Sequence, residues 1–158
     1  MLYKIKYFLM KSLSVKTRVG WITAIENKGK IIRVRFAESK KKSKSKNLTK
    51  FKNSLNNFFK KKSDSVEFNY NVKGNRIQKK IWNELKKIPY GKTKSYGEIS
   101  KKLKTSPRYV GNVCGQNRHL LVIPCHRVIR SNGKLGGFSG TGGIDTKKKL
   151  LKFEGAIK

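Results

Sequence analysis

The feature that most constrains this chain is an apolar run that carries a reactive motif. The run covers residues 121–129, and Cys125, His126 and Arg127 interrupt it directly behind Pro124. Flanks of this kind predict a buried strand. Buried strands rarely carry charged or reactive side chains, because such groups are costly to bury unless they are paired or take part in chemistry. A structural cysteine stays open as an interpretation of Cys125, but its polar neighbours favour a nucleophile.

The side chain next to the cysteine is a candidate proton acceptor. Adjacent side chains of a strand point to opposite faces, so His126 needs a local turn or a bridging water to serve Cys125. Pro124 favours such an irregularity, because it has no amide to donate to a neighbouring strand. An acid is expected to orient His126. The acids that follow the motif are Asp145 and Glu154, and Glu154 lies on the inward side of the last predicted helix.

The charge of the chain narrows its partners. Lys and Arg number 40 against 8 Asp and Glu, which gives a formal net charge of +32. An excess of this size favours a polyanionic partner such as DNA or RNA. Lysine is spread along the whole chain, so a lysine-rich composition without a binding role is the alternative.

Cysteine and histidine are too few and too scattered for a metal centre. Each occurs twice, at Cys114, Cys125, His119 and His126. Their spacing predicts no zinc site. Two cysteines do not make a disulfide framework, which indicates a reducing, intracellular setting. The start of the chain is too interrupted for a signal peptide, and no stretch approaches a membrane span.

The first half of the chain predicts a small α/β domain with a supporting role, residues 1–72. Helical spacing of apolar residues indicates a helix within 48–59. Residues 39–47 are almost all Lys and Ser and predict a mobile surface linker. Alternation predicts strands at 3–9, 20–26, 31–36 and 66–70, with a turn at 27–29.

The second half, residues 73–158, predicts mainly helices. Apolar residues from Ile77 to Ile88 form one helical face. Ser95 with Glu98 is a capping box that opens a short helix. Ser106 and Pro107 open a second helix that we expect to end at Gly115. Two short helices joined by a tight connection predict a helix-turn-helix. Together with the basic charge of the chain, this motif favours DNA as the ligand.

The end of the chain predicts a glycine-rich loop and a last helix. Residues 136–143 lack the Lys-Ser/Thr ending of a nucleotide-binding loop, so a loop that approaches a ligand closely is the better interpretation. Asp145 is expected to cap a helix over 146–154, with Gly155 as its stop.

Residues 123–128 resemble the active-site signature of the O6-alkylguanine-DNA alkyltransferases, also called methylated-DNA–protein-cysteine methyltransferases. The resemblance extends over about residues 75–155, and residues 17–70 resemble the N-terminal domain of the family through the Gly20-Trp21 hairpin. It implies a ribonuclease-H-like α/β domain followed by a mainly α, winged-helix-like domain with a helix-turn-helix. Other matching segments, in the same order as in the family, are 88–99, Arg108 with 110–111, Asn117 and 150–155.

The resemblance implies a role for each residue of a dispersed site. Cys125 accepts the alkyl group, and His126 acts as base through a water while Glu154 holds it. Asn117 fixes the turn that presents Cys125. Tyr96 donates a proton to a ring nitrogen of the departing guanine. The protein then acts once per molecule, without a cofactor or a metal.

The resemblance also implies how the substrate is reached. A base in a duplex must be extruded before a thiolate can reach it, and Arg108 takes its place in the stack. The implied partner is double-stranded DNA with alkylated guanine, bound by a monomer in the cytoplasm. The other predicted DNA contacts are Thr93, Lys94 and Gly111, which match the family, and Tyr109 and Arg118, which stand where the family usually has a small residue and a proline. The implied pocket residues are Val128, Phe138, Ser139 and Gly140.

Three other functions compete with alkyl transfer. A non-catalytic relative that only binds alkylated bases lacks the nucleophile, so Cys125 argues against it. A basic structural protein of the nucleoid would not need Cys125, Tyr96 or Glu154. A cysteine hydrolase needs an oxyanion site, and no independent motif for one is present.

Overall fold

The computed structural model describes residues 10–158. The strand predicted at 3–9 lies outside the described residues. Contacts divide the chain into two compact units, residues up to Val72 and Lys73–Lys158. Within the described residues, every helix is too short or too polar to cross a bilayer.

The first unit is built on a three-stranded antiparallel sheet. Its strands β1 (Lys11–Thr17), β2 (Gly20–Asn27) and β3 (Lys30–Arg35) lie in the order β1-β2-β3. The predicted hairpin of β2 and β3 is confirmed, and its turn places Lys28 and Gly29 at positive φ. Strand β1 was not predicted, because serine occupies one of its two buried positions and hides the apolar alternation.

One helix packs with the sheet, as predicted. Helix α1 (Lys46–Phe59) begins at Ser45, whose side chain accepts a hydrogen bond from the Leu48 amide. Its buried face includes three phenylalanines and two leucines. The strand predicted at 66–70 is wrong, since only Tyr70 forms a bridge, to Ile31. The buried residues there pack through side chains instead, and the Phe68 ring meets Phe51 edge-on at 5.4 Å.

The Lys-Ser segment at 39–47 is attached to the sheet, so its prediction as a free linker is wrong. The Ser39 amide donates to Ser14 Oγ at 2.8 Å, and the Ser43 amide donates to the Ser12 carbonyl at 2.8 Å. Serines supply these bonds, and the lysines between them are exposed. The last two residues of the segment already belong to α1.

The second unit contains four α-helices within its described residues. Helix α2 is Arg76–Lys86, α3 is Tyr96–Leu103, α4 is Pro107–Gly115 and α5 is Gly143–Glu154. The predicted apolar face of α2 is confirmed at Ile81, Trp82, Leu85 and the following Ile88. The prediction that Ile77 belongs to this face is wrong, because Ile77 lies in the first turn and is 50% exposed.

The predicted starts of α3 and α4 are both confirmed. Ser95 and Glu98 form a reciprocal capping box at α3. Ser106 accepts from the Tyr109 amide at the start of α4, with Pro107 as its first residue. Lys104 ends α3 with a left-handed backbone. The predicted stop at Gly115 is wrong, because this glycine is still helical and the cap is the following residue, in an ordinary right-handed conformation.

The reactive motif does not lie in a long buried strand. Cys125–Arg127 forms one turn of 3-10 helix, and strand β5 is only Val128–Ile129, paired in parallel with β4 (Lys94–Ser95). The irregularity predicted from Pro124 is therefore confirmed, whereas the strand over 121–129 is wrong. Helix α5 begins at Gly143 without a side-chain cap, so Asp145 is not the predicted cap. Gly155 ends α5 with φ 74°, as predicted.

Candidate active site

The 3-10 turn separates the three side chains of the motif. Cys125, His126 and Arg127 are all buried. The turn rotates successive side chains about its axis instead of alternating them between two faces. Cys125 therefore faces a cavity, while His126 and Arg127 both contact Glu154 near the end of α5.

The Asn117 side chain shapes the loop that leads to the cysteine. Its Nδ2 donates to the Ile123 carbonyl at 2.8 Å and to Cys125 Sγ at 3.2 Å. Its Oδ1 accepts from the His119 amide at 2.8 Å. The loop is tight enough that Leu121 adopts φ 73°, a conformation that costs a non-glycine residue about 1 kcal/mol or more. Asn117 thus satisfies the loop backbone and places a donor on the sulfur.

Glu154 joins the two basic side chains of the motif. His126 Nε2 lies 2.7 Å from Oε1, and Arg127 reaches both oxygens, with Nε 2.8 Å from Oε2 and Nη2 3.0 Å from Oε1. The remaining Arg127 nitrogen, Nη1, donates to the Ile88 carbonyl at 2.7 Å. Burial raises the pKa of Glu154, but the hydrogen bonds from His126 and Arg127 and the charge of Arg127 outweigh it and lower the pKa to about 2. The carboxyl is therefore ionised at neutral pH.

His126 is held as a neutral imidazole. Burial lowers its pKa, and the contact with Glu154 offsets this only in part. A neutral ring that donates from Nε2 to Glu154 keeps Nδ1 free to accept a proton. Nδ1 is buried and has no hydrogen-bond partner among the described residues.

The thiol of Cys125 is protonated at rest. Burial raises its pKa, while the hydrogen bond from Asn117 and the charge of Lys147 lower it in part. A thiol in this state needs a proton acceptor before it becomes a strong nucleophile. His126 supplies an acceptor of the right kind in the same turn.

Cys125 opens into a cavity of about 590 Å³. Tyr96, the first residue of α3, forms part of the wall, and burial raises the pKa of its phenol to about 12. The phenol is therefore a hydrogen-bond donor across the physiological range. The remaining lining residues come from α4 and from the segment after β5, and they are Pro107, Arg108, Gly111, Cys114, Gly115, Arg130, Ser131, Gly136, Gly137, Phe138 and Ser139.

The glycine-rich loop packs closely against aromatic rings. A Cβ on Gly136 would lie 3.3 Å from the Tyr96 ring. A Cβ on Gly140 would lie 2.3 Å from the Phe138 ring, which is not sterically possible without a shift. Glycine at position 136 lets the loop backbone form the cavity wall beside Tyr96, whereas the predicted pocket residue Gly140 lies outside the lining and leaves space for the Phe138 ring.

Only some of the predicted pocket and DNA residues line the cavity. Phe138 and Ser139 line the cavity, whereas Val128 is fully buried behind it. Arg108 and Gly111 line the cavity from α4. The other predicted DNA residues lie outside the lining: Arg118 is exposed, and Tyr109, Thr93 and Lys94 are half-buried.

Lys147 is a site residue that sequence reasoning missed. It is fully buried, and its Nζ donates to the Val128 carbonyl at 2.5 Å and to the Gly137 carbonyl at 3.2 Å. The same nitrogen lies 5.7 Å from the centre of the Tyr96 ring. Burial lowers the pKa of Lys147 to about 8. A usable signal was its position two helical turns before Glu154, on the same face of α5.

Two ionisable residues of the cavity wall were also not assigned to the site from sequence. Arg130 follows β5 and lines the cavity with an exposed side chain. Cys114, near the end of α4, is buried and also lines the cavity. Burial raises the pKa of the Cys114 thiol well above its usual range.

Comparison with known proteins gives consistent matches. The family model described as the DNA-binding domain of 6-O-methylguanine DNA methyltransferase matches residues 76–156. A methylated-DNA–protein-cysteine methyltransferase of Sulfolobus acidocaldarius is 42% identical over 141 residues, covering 87% of this chain and 88% of that protein. The protein of the same name from Methanosarcina acetivorans is 47% identical over 85 residues. That match covers 52% of this chain and only 53% of the relative's length.

Solved structures give the same result for the fold. The crystal structure of O6-methylguanine methyltransferase from Mycobacterium tuberculosis superimposes with a TM-score of 0.81 at 27% identity, covering 94% of both chains. A structure of the M. tuberculosis protein in complex with DNA gives a TM-score of 0.78 at 28% identity, covering 91% of this chain and 92% of that one.

Proposed function

The chain belongs to the methylated-DNA–protein-cysteine methyltransferase family, and we propose that it repairs DNA by moving the alkyl group of O6-alkylguanine onto its own Cys125. The observation that carries this proposal is the position of Cys125. Its sulfur lines a cavity, accepts a hydrogen bond from Asn117 and belongs to the same turn as a neutral histidine held by an ionised glutamate.

The reaction is a single displacement at carbon. The Cys125 proton passes through a water to Nδ1 of His126, and Glu154 stabilises the imidazolium that forms. The sulfur then attacks the alkyl carbon, and the bond between that carbon and O6 breaks. The electron pair of this bond stays with the guanine. A thioether has no easy reverse route, so each molecule acts once and needs no cofactor or metal.

Tyr96 completes the proton balance on the leaving side. The departing guanine carries the electron pair of the broken bond, and a proton on a ring nitrogen makes it a neutral base. The Tyr96 phenol lines the cavity and stays protonated because its pKa is raised to about 12. Tyr96 therefore acts as the donor, and a hydrogen bond to the base precedes the transfer.

Substrate access depends on the pair formed by α3 and α4, which we assign as a helix-turn-helix. Extruding a nucleotide costs a few kcal/mol, and Arg108 offsets this by entering the stack from the start of α4. Phosphate contacts supply the rest of the binding energy. We assign these to Thr93, Lys94, Tyr109, Gly111 and Arg118.

The pocket holds the extruded base through the segment after β5. Phe138 and Ser139 line the cavity and bind the base edge and face. Gly140 lets the Phe138 ring lie against the loop backbone. Val128 supports the wall from behind, since its carbonyl is held by Lys147.

The remaining assignments concern the whole chain. We assign residues 1–72 as a ribonuclease-H-like supporting domain and 73–158 as a winged-helix-like domain for DNA binding and alkyl transfer. The protein acts as a monomer on double-stranded DNA in the cytoplasm. Both cysteines are free thiols, which suits a reducing compartment.

The test is a direct mass measurement. The protein is incubated with a duplex oligonucleotide that contains O6-methylguanine, and the intact mass is recorded. We expect a gain of one methyl group, located at Cys125 by peptide mapping. Cys125→Ala should gain nothing, while Cys114→Ala, the matched cysteine of the same cavity, should still be methylated. Binding of the lesion without any gain in mass contradicts alkyl transfer and leaves only recognition of the base.

A second measurement tests the role of Arg108. Arg108→Ala should slow transfer from duplex DNA by tenfold or more and leave the reaction with free O6-benzylguanine unchanged. The free base needs no extrusion from a stack, so an equal loss on both substrates contradicts the intercalating role. Arg76→Ala removes the same charge from the exposed start of α2 and serves as the control.

A further inference from the structure

The cavity has two arginines at its wall, and they come from different elements. Arg108 belongs to the start of α4, and Arg130 follows strand β5. Both side chains are exposed. Within residues 10–158, neither guanidinium forms an ion pair or a side-chain hydrogen bond. Arg127, by contrast, uses each of its three guanidinium nitrogens in a hydrogen bond to Glu154 or to the Ile88 carbonyl.

Backbone hydrogen bonds fix the position of Arg130, so its side chain extends from a well-defined point. The Arg130 amide donates to the Lys134 carbonyl at 2.8 Å, and the Gly133 amide donates to the Arg130 carbonyl at 3.0 Å. The turn between them is therefore closed on both sides. A Cβ on Gly136 would lie 3.6 Å from Arg130 Cγ and 3.3 Å from the Tyr96 ring. The stem of Arg130 thus runs beside the tyrosine, on the glycine-loop wall of the cavity.

A guanidinium in this place suits one chemical partner. A nucleotide that enters the cavity keeps its base inside and its two flanking phosphates at the mouth. Phosphate is an oxyanion that arginine binds with two parallel N–H donors. An unpaired, exposed guanidinium at the wall is free to make such a contact, whereas one already held by a carboxylate is not.

We infer that Arg130 binds a backbone phosphate next to the extruded nucleotide, which makes it a positioning residue for alkyl transfer. This inference rests on the proposed function, since it takes the occupant of the cavity to be a nucleotide of DNA. The two arginines therefore stabilise the two parts of the DNA that base extrusion disturbs. Arg108 fills the gap in the base stack, and Arg130 holds the backbone of the extruded nucleotide.

The experiment pairs a protein change with a DNA change. Duplexes that contain O6-methylguanine are made with a neutral methylphosphonate in place of either the 5′ or the 3′ phosphate of the lesion. Binding is measured by anisotropy in the Cys125→Ala background, and transfer is measured separately by mass in the protein with Cys125 intact. The variants are Arg130→Ala, Arg130→Lys and the charge-matched control Arg76→Ala.

We expect Arg130→Ala to weaken binding about tenfold and to lower the salt slope by about one. A methylphosphonate at one of the two positions should weaken the protein that retains Arg130 by a similar factor and leave Arg130→Ala unaffected. Arg130→Lys should lose less than Arg130→Ala, because it keeps the charge. Arg76→Ala should remain sensitive to the methylphosphonate.

Two outcomes overturn the inference. One is that Arg130→Ala and both methylphosphonates lose affinity independently, so that their effects multiply. The other is that Arg130→Ala binds as tightly as its parent. If Cys125 is alkylated and either outcome is observed, the proposed role of Arg130 is excluded and the proposed function is retained. Coupling between Arg130 and one phosphate without alkylation supports the inference and contradicts the proposed function.

Discussion

Glu154 Oε1 lies 2.7 Å from His126 Nε2, and both side chains are almost fully buried. The same carboxylate also accepts two hydrogen bonds from Arg127. One acid near the end of α5 therefore orients the proton acceptor and holds the turn that presents Cys125. Loss of this acid should damage both chemistry and stability.

Glu154→Gln is expected to slow alkyl transfer by at least tenfold and to destabilise the protein. The amide is neutral, so Arg127 is left as a buried cation without its partner, which costs about 3 kcal/mol or more. Single-turnover rates by mass and urea unfolding measure the two effects. Glu84→Gln is the matched control, because Glu84 pairs with Lys87 and Lys102, which are 62% and 56% exposed. Glu84→Gln should lower the free energy of unfolding by less than about 1 kcal/mol. Equal losses of stability and transfer rate in both variants contradict the role of Glu154.

The lowered pKa of Glu154 also predicts an acid-sensitive fold. The pKa is about 2 in the folded protein against an ordinary value of 4.5. A carboxyl with a lowered folded pKa stabilises the protein above its unfolded pKa, and this stabilisation is lost as the pH falls from about 4.5 towards 2. The free energy of unfolding should therefore decrease across this window, and Glu154→Gln should decrease less. Parallel curves for the two proteins over this range contradict the prediction.

The sequence predicted the local signals of the site better than its backbone. Ser95, Ser106 and Gly155 act where their capping chemistry places them, because a helix end depends on a few neighbouring residues. The strand predicted at 121–129 failed, since an apolar run is equally compatible with a buried turn. Pro124 carried the relevant warning.

Long-range contacts explain what the sequence did not reveal. Lys147 stands at the start of three consecutive lysines, and residue type alone does not distinguish it from the exposed Lys148. Its hydrogen-bond partners are two backbone carbonyls, and a pattern of side chains in the sequence does not predict such contacts. Strand β1 was hidden for a related reason, because its serines are satisfied by the segment at 39–43.

Asn117→Ala is expected to slow transfer by about tenfold or more, because the thiolate loses a hydrogen-bond donor that is roughly worth 1.5–3 kcal/mol. It also leaves the Ile123 carbonyl and the His119 amide without their partner. The pH–rate profile should move to higher pH, since Cys125 loses a group that lowers its pKa. Asn83→Ala, at an exposed position of α2, should leave rate and profile unchanged. A slower variant with an unshifted profile assigns Asn117 a structural role only.

Tyr96→Phe is expected to lower the transfer rate at saturating DNA by about tenfold to a hundredfold, which is the range of a lost general acid. DNA affinity should change little, because the ring that lines the cavity is retained. Tyr109→Phe removes a hydroxyl from the neighbouring helix, outside the cavity lining, and should keep the full rate at saturation. If both variants transfer alkyl groups at the parental rate, the Tyr96 phenol is not the proton donor.

Lys147→Met is expected to shift the pH–rate profile of alkyl transfer to higher pH. The buried ammonium lowers the pKa of Cys125, and methionine has a similar length without the charge. The pKa of Lys147 is itself lowered to about 8, so its charge is present below this pH and is lost above it. The difference between the variant and the parent should therefore be largest below about pH 8 and should shrink as the pH rises. Lys148→Met makes the same change at the next, exposed residue and should leave the profile in place. An identical shift in both variants, or none in Lys147→Met, contradicts an electrostatic role for the buried lysine.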